Sequence, residues 1–358
     1  MEVLGIVLFA IIFFLILKGY PVAFTLSGVS ILFALFISVF YPEHFSMSSF
    51  NLIPYRIMGV INNYVLMAIP LFIFMGVILE KSGLAKSLLE TMAMLLGRIR
   101  GGLAISVLLV GVLLAASTGI VGATVVTMGL ISLPTMLKRG YNAELATGII
   151  SSSGTLGQIV PPSIVLVLLA DTVNSSSRSS QSVDVGSLFS AVIIPSLILI
   201  LMYFLYIIFR AVLDKDSAPL ISKEELLEFR QNDFWKNIFN VIFLPGVLIF
   251  VVLGSIFTGV ASPTEASAIG ACGATLLSFF QKKLNLKILK QAATDTTKVT
   301  VMVFFVLLGA TTFTLVFREI GGDDYLRDII ISSNLSPIMF LILVMGLTRI
   351  IHSHTKID

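Results

Sequence analysis

Apolar residues fall into long runs separated by short polar stretches. The runs cover 3–18, 22–41, 65–80, 102–117, 120–137, 145–170, 188–209, 239–258, 265–281, 300–317 and 337–347. A helix needs about 20 apolar residues to cross a bilayer, so these runs predict helices that cross it or cross half of it. The runs are near-continuous and do not alternate, which excludes the strands of a β-barrel. The first run has no basic segment before it and no small-residue cleavage site, so it reads as a retained helix. Two polar stretches are longer: 171–187, rich in Ser, and 210–238, charged and helix-prone.

Lys and Arg orient these helices. With the N-terminus outside, most basic residues fall in inside segments, and only Arg56, Arg178, Arg318 and Arg327 fall outside. Arg98 and Arg100 precede the run 102–117, and Lys138 and Arg139 follow the run 120–137. Both flanks are therefore inside, and the stretch 102–137 enters and leaves on one side. Two crossings joined by a tight turn would satisfy this. The small, polar middle, Ser117-Thr118-Gly119-Ile120-Val121-Gly122, favours a re-entrant helical hairpin.

The chain also repeats itself. Pro21 and Pro263 are 242 residues apart, as are Gly28 and Gly270. The segment Phe72–Gly83 parallels Phe305–Gly321, and Gly102-Leu-Ala-Ile-Ser parallels Ser336-Pro-Ile-Met-Phe. The polar arm 81–100 is basic, whereas its counterpart 318–335 carries Glu319, Asp323, Asp324 and Asp328. The second copy is therefore expected upside down. Inverted repeats of this kind mark secondary transporters.

Composition narrows the classes further. Of the 358 residues 57% are hydrophobic, mean hydropathy is +1.03, and charged residues make up only 12%. An ordinary soluble domain carries about 25% charged residues, so too few are present here to cover a soluble surface. A net charge of +3 with scattered basic residues argues against nucleic acid as a partner. The single Cys272 rules out a disulfide framework and a CxxC metal site. His44, His352 and His354 lie outside the predicted core and form no zinc motif. An intramembrane enzyme would need a Ser-His, paired-Asp or Glu-metal set at one depth, and none is visible.

Three segments could carry chemistry. One is the hairpin tip, Ser117 to Gly122, with Thr124 beyond it. The second is Ser151-Ser-Ser-Gly-Thr-Leu-Gly-Gln-Ile-Val-Pro-Pro162, in the middle of the run 145–170. Two adjacent prolines remove two amide donors and break the helix. Carbonyls freed at membrane depth must be satisfied by neighbours, water or a cation. A discontinuous helix with free carbonyls and hydroxyls suits Na⁺, and the amide ends of half-helices suit a carboxylate. Each small residue alone is more simply a packing residue; the whole cluster facing a hairpin tip points to a site. The third segment is Ser262-Pro-Thr-Glu265. It reads first as a capping box, with Glu265 as a proton carrier the second choice. Asp171 is expected to be interfacial. No Lys or Arg lies inside an apolar run, Lys18 standing at the very end of the first, which favours a cation-coupled carrier over an anion channel with an arginine ring.

The segments Ala116–Thr124, Leu133–Tyr141, Gly154–Ser163 and Gly259–Ala266 resemble the large membrane subunit of TRAP transporters, the DctM type. The resemblance runs over residues 1–347. It implies an all-α polytopic membrane protein with inverted repeats, a re-entrant hairpin and a discontinuous helix, working as an elevator. It implies Na⁺-driven uptake of small organic acids such as dicarboxylates, 2-oxo acids or sialic acid, with Na⁺ as the coupling ion and no cofactor. The implied partners are a small four-helix membrane subunit and a periplasmic substrate-binding protein, in the inner membrane of a bacterium. On this reading residues 1–80 are scaffold, and 81–170 are the arm, hairpin and broken helix of the transport domain. Residues 171–238 link the halves, 239–299 are scaffold of the second repeat, 300–347 are part of a second transport half, and 348–358 are an atypical tail. The resemblance puts cation ligands among Ser117, Thr118, Gly119, Gly122, Ser152, Ser153, Gly154, Gly157 and Pro161. Substrate contacts fall on Thr124, Thr155 and Gln158, and a second cation site on Gly309, Thr311 and Thr312.

The family continues past the position of Gly346 with a second hairpin tip and a second broken helix. Here the run 337–347 gives 11 residues, about 16 Å as helix, roughly half the hydrocarbon thickness. The repeat offset then implies that about 46 residues of the second half are absent. A non-transporting remnant and a channel-like protein are the alternative readings. The 358-residue chain alone is expected not to transport. Na⁺-driven uptake measured with this chain in proteoliposomes would overturn that expectation.

Overall fold

A computed structural model describes residues 3–42, 45–118, 121–176, 183–214, 217–231, 235, 238–333 and 335–354. The described residues are helical, without strands. Among the described residues, five helical stretches are long and apolar enough to cross a membrane: Val22–Phe40, Tyr64–Lys81, Val185–Leu213, Ile238–Phe257 and Leu286–Glu319. Large apolar side chains on these stretches point outward. Ile194 is 68% exposed and Phe250 78%. Water would penalise such surfaces, and lipid does not.

The helices are α1 (Val3–Leu17), α2 (Val22–Phe40), α3 (Leu52–Ile61), α4 (Ala68–Lys81), α5 (Leu84–Leu96), α6 (Gly102–Thr118), α7 (Val121–Lys138), α8 (Ala143–Leu156), α9 (Ile164–Ser176) and α10 (Val185–Leu213). Then follow α11 (Lys223–Gln231), α12 (Leu244–Phe257), α13 (Pro263–Phe280), α14 (Leu286–Glu319), α15 (Gly322–Ser332) and α16 (Pro337–His354). A π-helical turn, Ile238–Phe243, leads into α12. The run 145–170 is thus two helices, α8 and α9, as the paired prolines predict. The run 337–347 lies in a helix of 18 residues, because its helical pattern continues through Arg349 to His354.

The chain forms two compact units, residues 1–63 with 301–358, and residues 64–300. In the first, α1 packs on α2 and α15. Gly5 lies so close to α15 that a Cβ there would stand 2.8 Å from Gly322 Cα. Gly309 of α14 lies against α2, where a Cβ would stand 2.6 Å from the Ala23 carbonyl oxygen. Ser49 donates to Glu319 at 3.2 Å.

In the second unit, α4 packs along α13, and α6, α7 and α8 pack on one another. Thr264 Oγ1 donates to the Tyr64 carbonyl at 2.9 Å, fixing the start of α13 to the turn before α4. Ser262 caps α13: its hydroxyl accepts from the Glu265 amide at 3.3 Å, and Glu265 accepts from the Ser262 amide at 2.8 Å. The capping-box reading of Glu265 therefore holds. Past the hairpin, Arg139 donates to both carboxylate oxygens of Glu225 on α11, at 3.1 and 2.5 Å. The Asn142 amide donates to the Ser217 carbonyl at 3.1 Å, and the Ile221 amide to that of Gly97 at 3.2 Å. The charged segment after α10 is thus tied down on the hairpin's own flanks.

The backbone carries the repeat seen in the sequence. Gly83 precedes α5 at φ +72° and Gly321 precedes α15 at φ +75°. Each arm helix starts from a left-handed residue, a conformation that a side chain would strain. Gly28 and Gly270, paired in the sequence, differ in surroundings. A Cβ on Gly270 would stand 2.6 Å from Met75 Sδ and 3.2 Å from Val252 Cγ2, whereas one on Gly28 would meet nothing within 4 Å. Gly270→Val is therefore expected to destabilise the protein by about 1–3 kcal/mol through overpacking, and Gly28→Val to leave it nearly unchanged. Thermal unfolding of both variants in one detergent checks this.

Candidate functional site

The candidate site is built where α8 ends. Asn142 starts α8, its side chain accepting from the amides of Glu144 and Leu145 at 2.8 and 3.2 Å. The helix stops at Leu156, and α9 begins at Ile164. Pro161 and Pro162 have no N–H, so the carbonyls of Gly157 and Gln158 lose their helical donors. Ser163 replaces one of them, its buried hydroxyl donating to the Gln158 carbonyl at 2.6 Å. Ser196 of α10 donates to the Ile159 carbonyl at 3.4 Å. The Val160 amide turns back to Leu156 at 2.9 Å. The break is thus held by side chains from two elements, and the Gly157 carbonyl is left without a helical donor.

The hairpin grips the end of α8 from two sides. Gly111 of α6 lies against Ser153, where a Cβ would stand 2.4 Å from Ser153 Oγ. Gly154 lies against α7, where a Cβ would stand 2.4 Å from Val125 Cγ2 and 3.2 Å from the Val125 amide nitrogen. Val125 is four residues into α7. The C-terminal turn of α8, its carbonyl end, therefore lies beside the N-terminal turn of α7, its amide end. Opposite partial charges of two helix dipoles meet there.

The predicted residues do not all converge. Ser153 and Gly154 are buried against the hairpin, and Thr124 is buried on α7 beside Val125. Ser153 Oγ donates to the Ile150 carbonyl at 3.0 Å and keeps its acceptor capacity. Gly157 and Pro161 are buried within the break. Ser152, one position before Ser153, lines a cavity between α8 and α10 that Leu108 of α6 also borders. Thr155 is exposed and donates to the Ser152 carbonyl at 2.8 Å; Gln158 and Gly122 are exposed. Ser117 and Thr118 form the last residues of α6, where only the backbone is described, and Gly119 lies outside the described residues, as does His44. In the other unit, Thr311 and Thr312 donate to carbonyls of their own helix at 2.7 and 2.9 Å. They border a crevice with Ile53, Ile57 and Arg56, so a cation there would meet a like charge. Asp171 lies on α9.

Gly111 and Val125 escaped the reading of the sequence. The signal was present: a lone glycine inside the apolar run 102–117 marks a close backbone approach. No cluster of His, Cys, Asp or Glu that could hold a metal occurs among the described residues. The donor set is carbonyls and hydroxyls, which suits a hard monovalent or small cation more than a transition metal.

Gly154→Ala is expected to weaken the protein by about 1–3 kcal/mol, and Val125→Ala in the same chain to recover part of the loss. Thermal unfolding of the single and double variants measures this coupling; equal losses with and without Val125 would contradict the contact.

Comparison with known proteins places this architecture. Residues 9–352 match the family model "Tripartite ATP-independent periplasmic transporter, DctM component". The chain is 32% identical over 304 residues to the C4-dicarboxylate TRAP transporter large permease protein DctM of Pseudomonas aeruginosa, covering 84% of this chain and 67% of that protein. It is 29% identical over 360 residues to the corresponding protein of Vibrio cholerae, covering 94% of this chain and 74% of that protein. It is 28% identical over 301 residues to the ectoine TRAP transporter large permease protein TeaC of Halomonas elongata, covering 84% of this chain and 65% of that protein. A family match over nearly the whole chain, on an all-helical fold with several membrane-length helices, makes this chain a member of the DctM family, the large permease subunits of tripartite ATP-independent periplasmic transporters.

Proposed function

We propose that this subunit imports small organic acids across the inner membrane of a bacterium, driven by Na⁺. It works with a small four-helix membrane subunit and a periplasmic binding protein that delivers the ligand. The observation that carries this reading is the broken helix α8–α9 gripped by the hairpin α6–α7, with the Gly157 carbonyl lacking a helical donor. Backbone oxygens freed inside a bilayer need a partner, and a hard cation is one. The cation site lies between the hairpin tip and the turn Ser153–Pro161. The amide ends of α7 and α9 stand beside it and suit a carboxylate. A bound cation would strengthen that attraction, which couples the two ligands. The relatives named for C4-dicarboxylate transport support carboxylate-bearing cargo. The unit of hairpin and broken helix then moves as one body against the long helices, as an elevator.

Na⁺ binding tests the reading on the chain itself, because every residue of this site lies before position 170. Choline chloride at equal ionic strength is the control. At ten times its dissociation constant Na⁺ should stabilise the chain by about 1.4 kcal/mol. Gly154 is unsuitable as a probe, since filling it disturbs packing whatever its role. Ser153→Ala removes one oxygen and little volume. Its unfolding midpoint in choline should match the parent, and its Na⁺-dependent shift should shrink. An identical Na⁺ shift in Ser153→Ala would remove Ser153 from the site, and no Na⁺ shift in the parent would remove the cation.

A further inference from the structure

A cavity of about 480 Å³ opens between α8 and α10, with Leu108 of α6 closing one side. None of the contacts that hold the broken helix uses it. Its walls are apolar along most of their length, formed by Leu108, Ile149, Met202 and Ile207. Two charged residues line it, Glu144 in the first turn of α8 and Arg210 in the last turn of α10. α8 starts, and α10 ends, at the side where the basic residues gather, so both charges stand at the cytoplasmic mouth. The Arg210 Nε is buried and without a hydrogen-bond partner. A buried guanidinium N–H left unpaired costs free energy, and an anion at the mouth would remove that cost.

The slot has the dimensions of part of a lipid. Glu144 to Ser152 and Met202 to Arg210 are each eight residues, about 12 Å along a helix. One leaflet of the hydrocarbon core is about 15 Å deep. The slot is thus charged at the interface, apolar below it and about as deep as a leaflet. α10 is exposed along its apolar length, Leu201 being 53% and Leu205 54% exposed, so an acyl chain can enter sideways.

We propose that this slot holds one inner-leaflet phospholipid with a zwitterionic, amine-bearing headgroup of the phosphatidylethanolamine type. The phosphate pairs with Arg210 and the ammonium with Glu144. The acyl chain lies on Ile149, Met202 and Ile207. Glu144 decides against a free organic dianion, which it would repel, and against a purely anionic headgroup. Basic pockets between membrane helices on the cytoplasmic side are known to take lipid headgroups. The lipid would fill the seam between the broken helix and α10.

Native mass spectrometry of the full chain, purified and then exchanged into nanodiscs of phosphatidylethanolamine, phosphatidylcholine or phosphatidylglycerol, tests this. The chain should keep phosphatidylethanolamine in preference to both others. Arg210→Gln, and the slot-filling Ile149→Trp that leaves both charges in place, should each lower retention about tenfold. Glu144→Gln should lose the preference for the amine and gain phosphatidylglycerol. Retention unchanged in all three variants would overturn the proposal. So would displacement by soluble phosphoethanolamine at equal concentration, which would mean a small polar ligand and no lipid. A chain that keeps no lipid would overturn it as well.

Discussion

A backbone carbonyl inside a bilayer has no water to bond, and this constraint shapes the region from 102 to 176. Two adjacent prolines remove two amides in the middle of an apolar run. The structure answers with side chains: Ser163 takes the Gln158 carbonyl at 2.6 Å and Ser196 reaches that of Ile159. Neither partner lies on α8 itself. The break is thus supported by Ser163 at the start of α9 and Ser196 of α10, while the paired prolines keep it from continuing as one helix. The carbonyl of Gly157 is left without a helical donor, because Pro161 has no N–H.

Small residues serve two purposes in this region. Gly111 and Gly154 let three helices approach until a single methyl would collide. Close approach gains dispersion contacts, which drive association where no hydrophobic effect separates helix from lipid. The same approach brings hydroxyls and carbonyls together. Gly154 is explained by its contact with Val125, and the Ser153 hydroxyl donates to the Ile150 carbonyl while lying against Gly111.

Much of this was legible in the sequence. Uninterrupted apolar runs foretold most membrane-length helices to within a few residues, because apolar length is the physical requirement for crossing a membrane, but not the polar start of α14 or the end of α16. The paired prolines located the break, and Ser262 with Glu265 located the start of α13. The repeat showed itself again as left-handed glycines before α5 and α15. Two things were not legible. Sequence order cannot tell which face of α8 meets which neighbour, so Ser152 was grouped with Ser153 although Ser153 packs on Gly111 and Ser152 lines the cavity beside α10. Nor could composition reveal that Arg210 and Glu144, 66 positions apart, line one cavity. Both facts depend on how helices rotate about their axes, which tertiary contacts decide.

Hydrogen exchange of the backbone amides, measured in Na⁺ and in choline, tests the central claim most directly. If a cation bridges the hairpin tip and the broken helix, Na⁺ slows exchange in residues 121–125 and 153–164, while residues 22–40 of α2 stay unchanged. Exchange in those two segments that is equal in Na⁺ and choline would contradict the account.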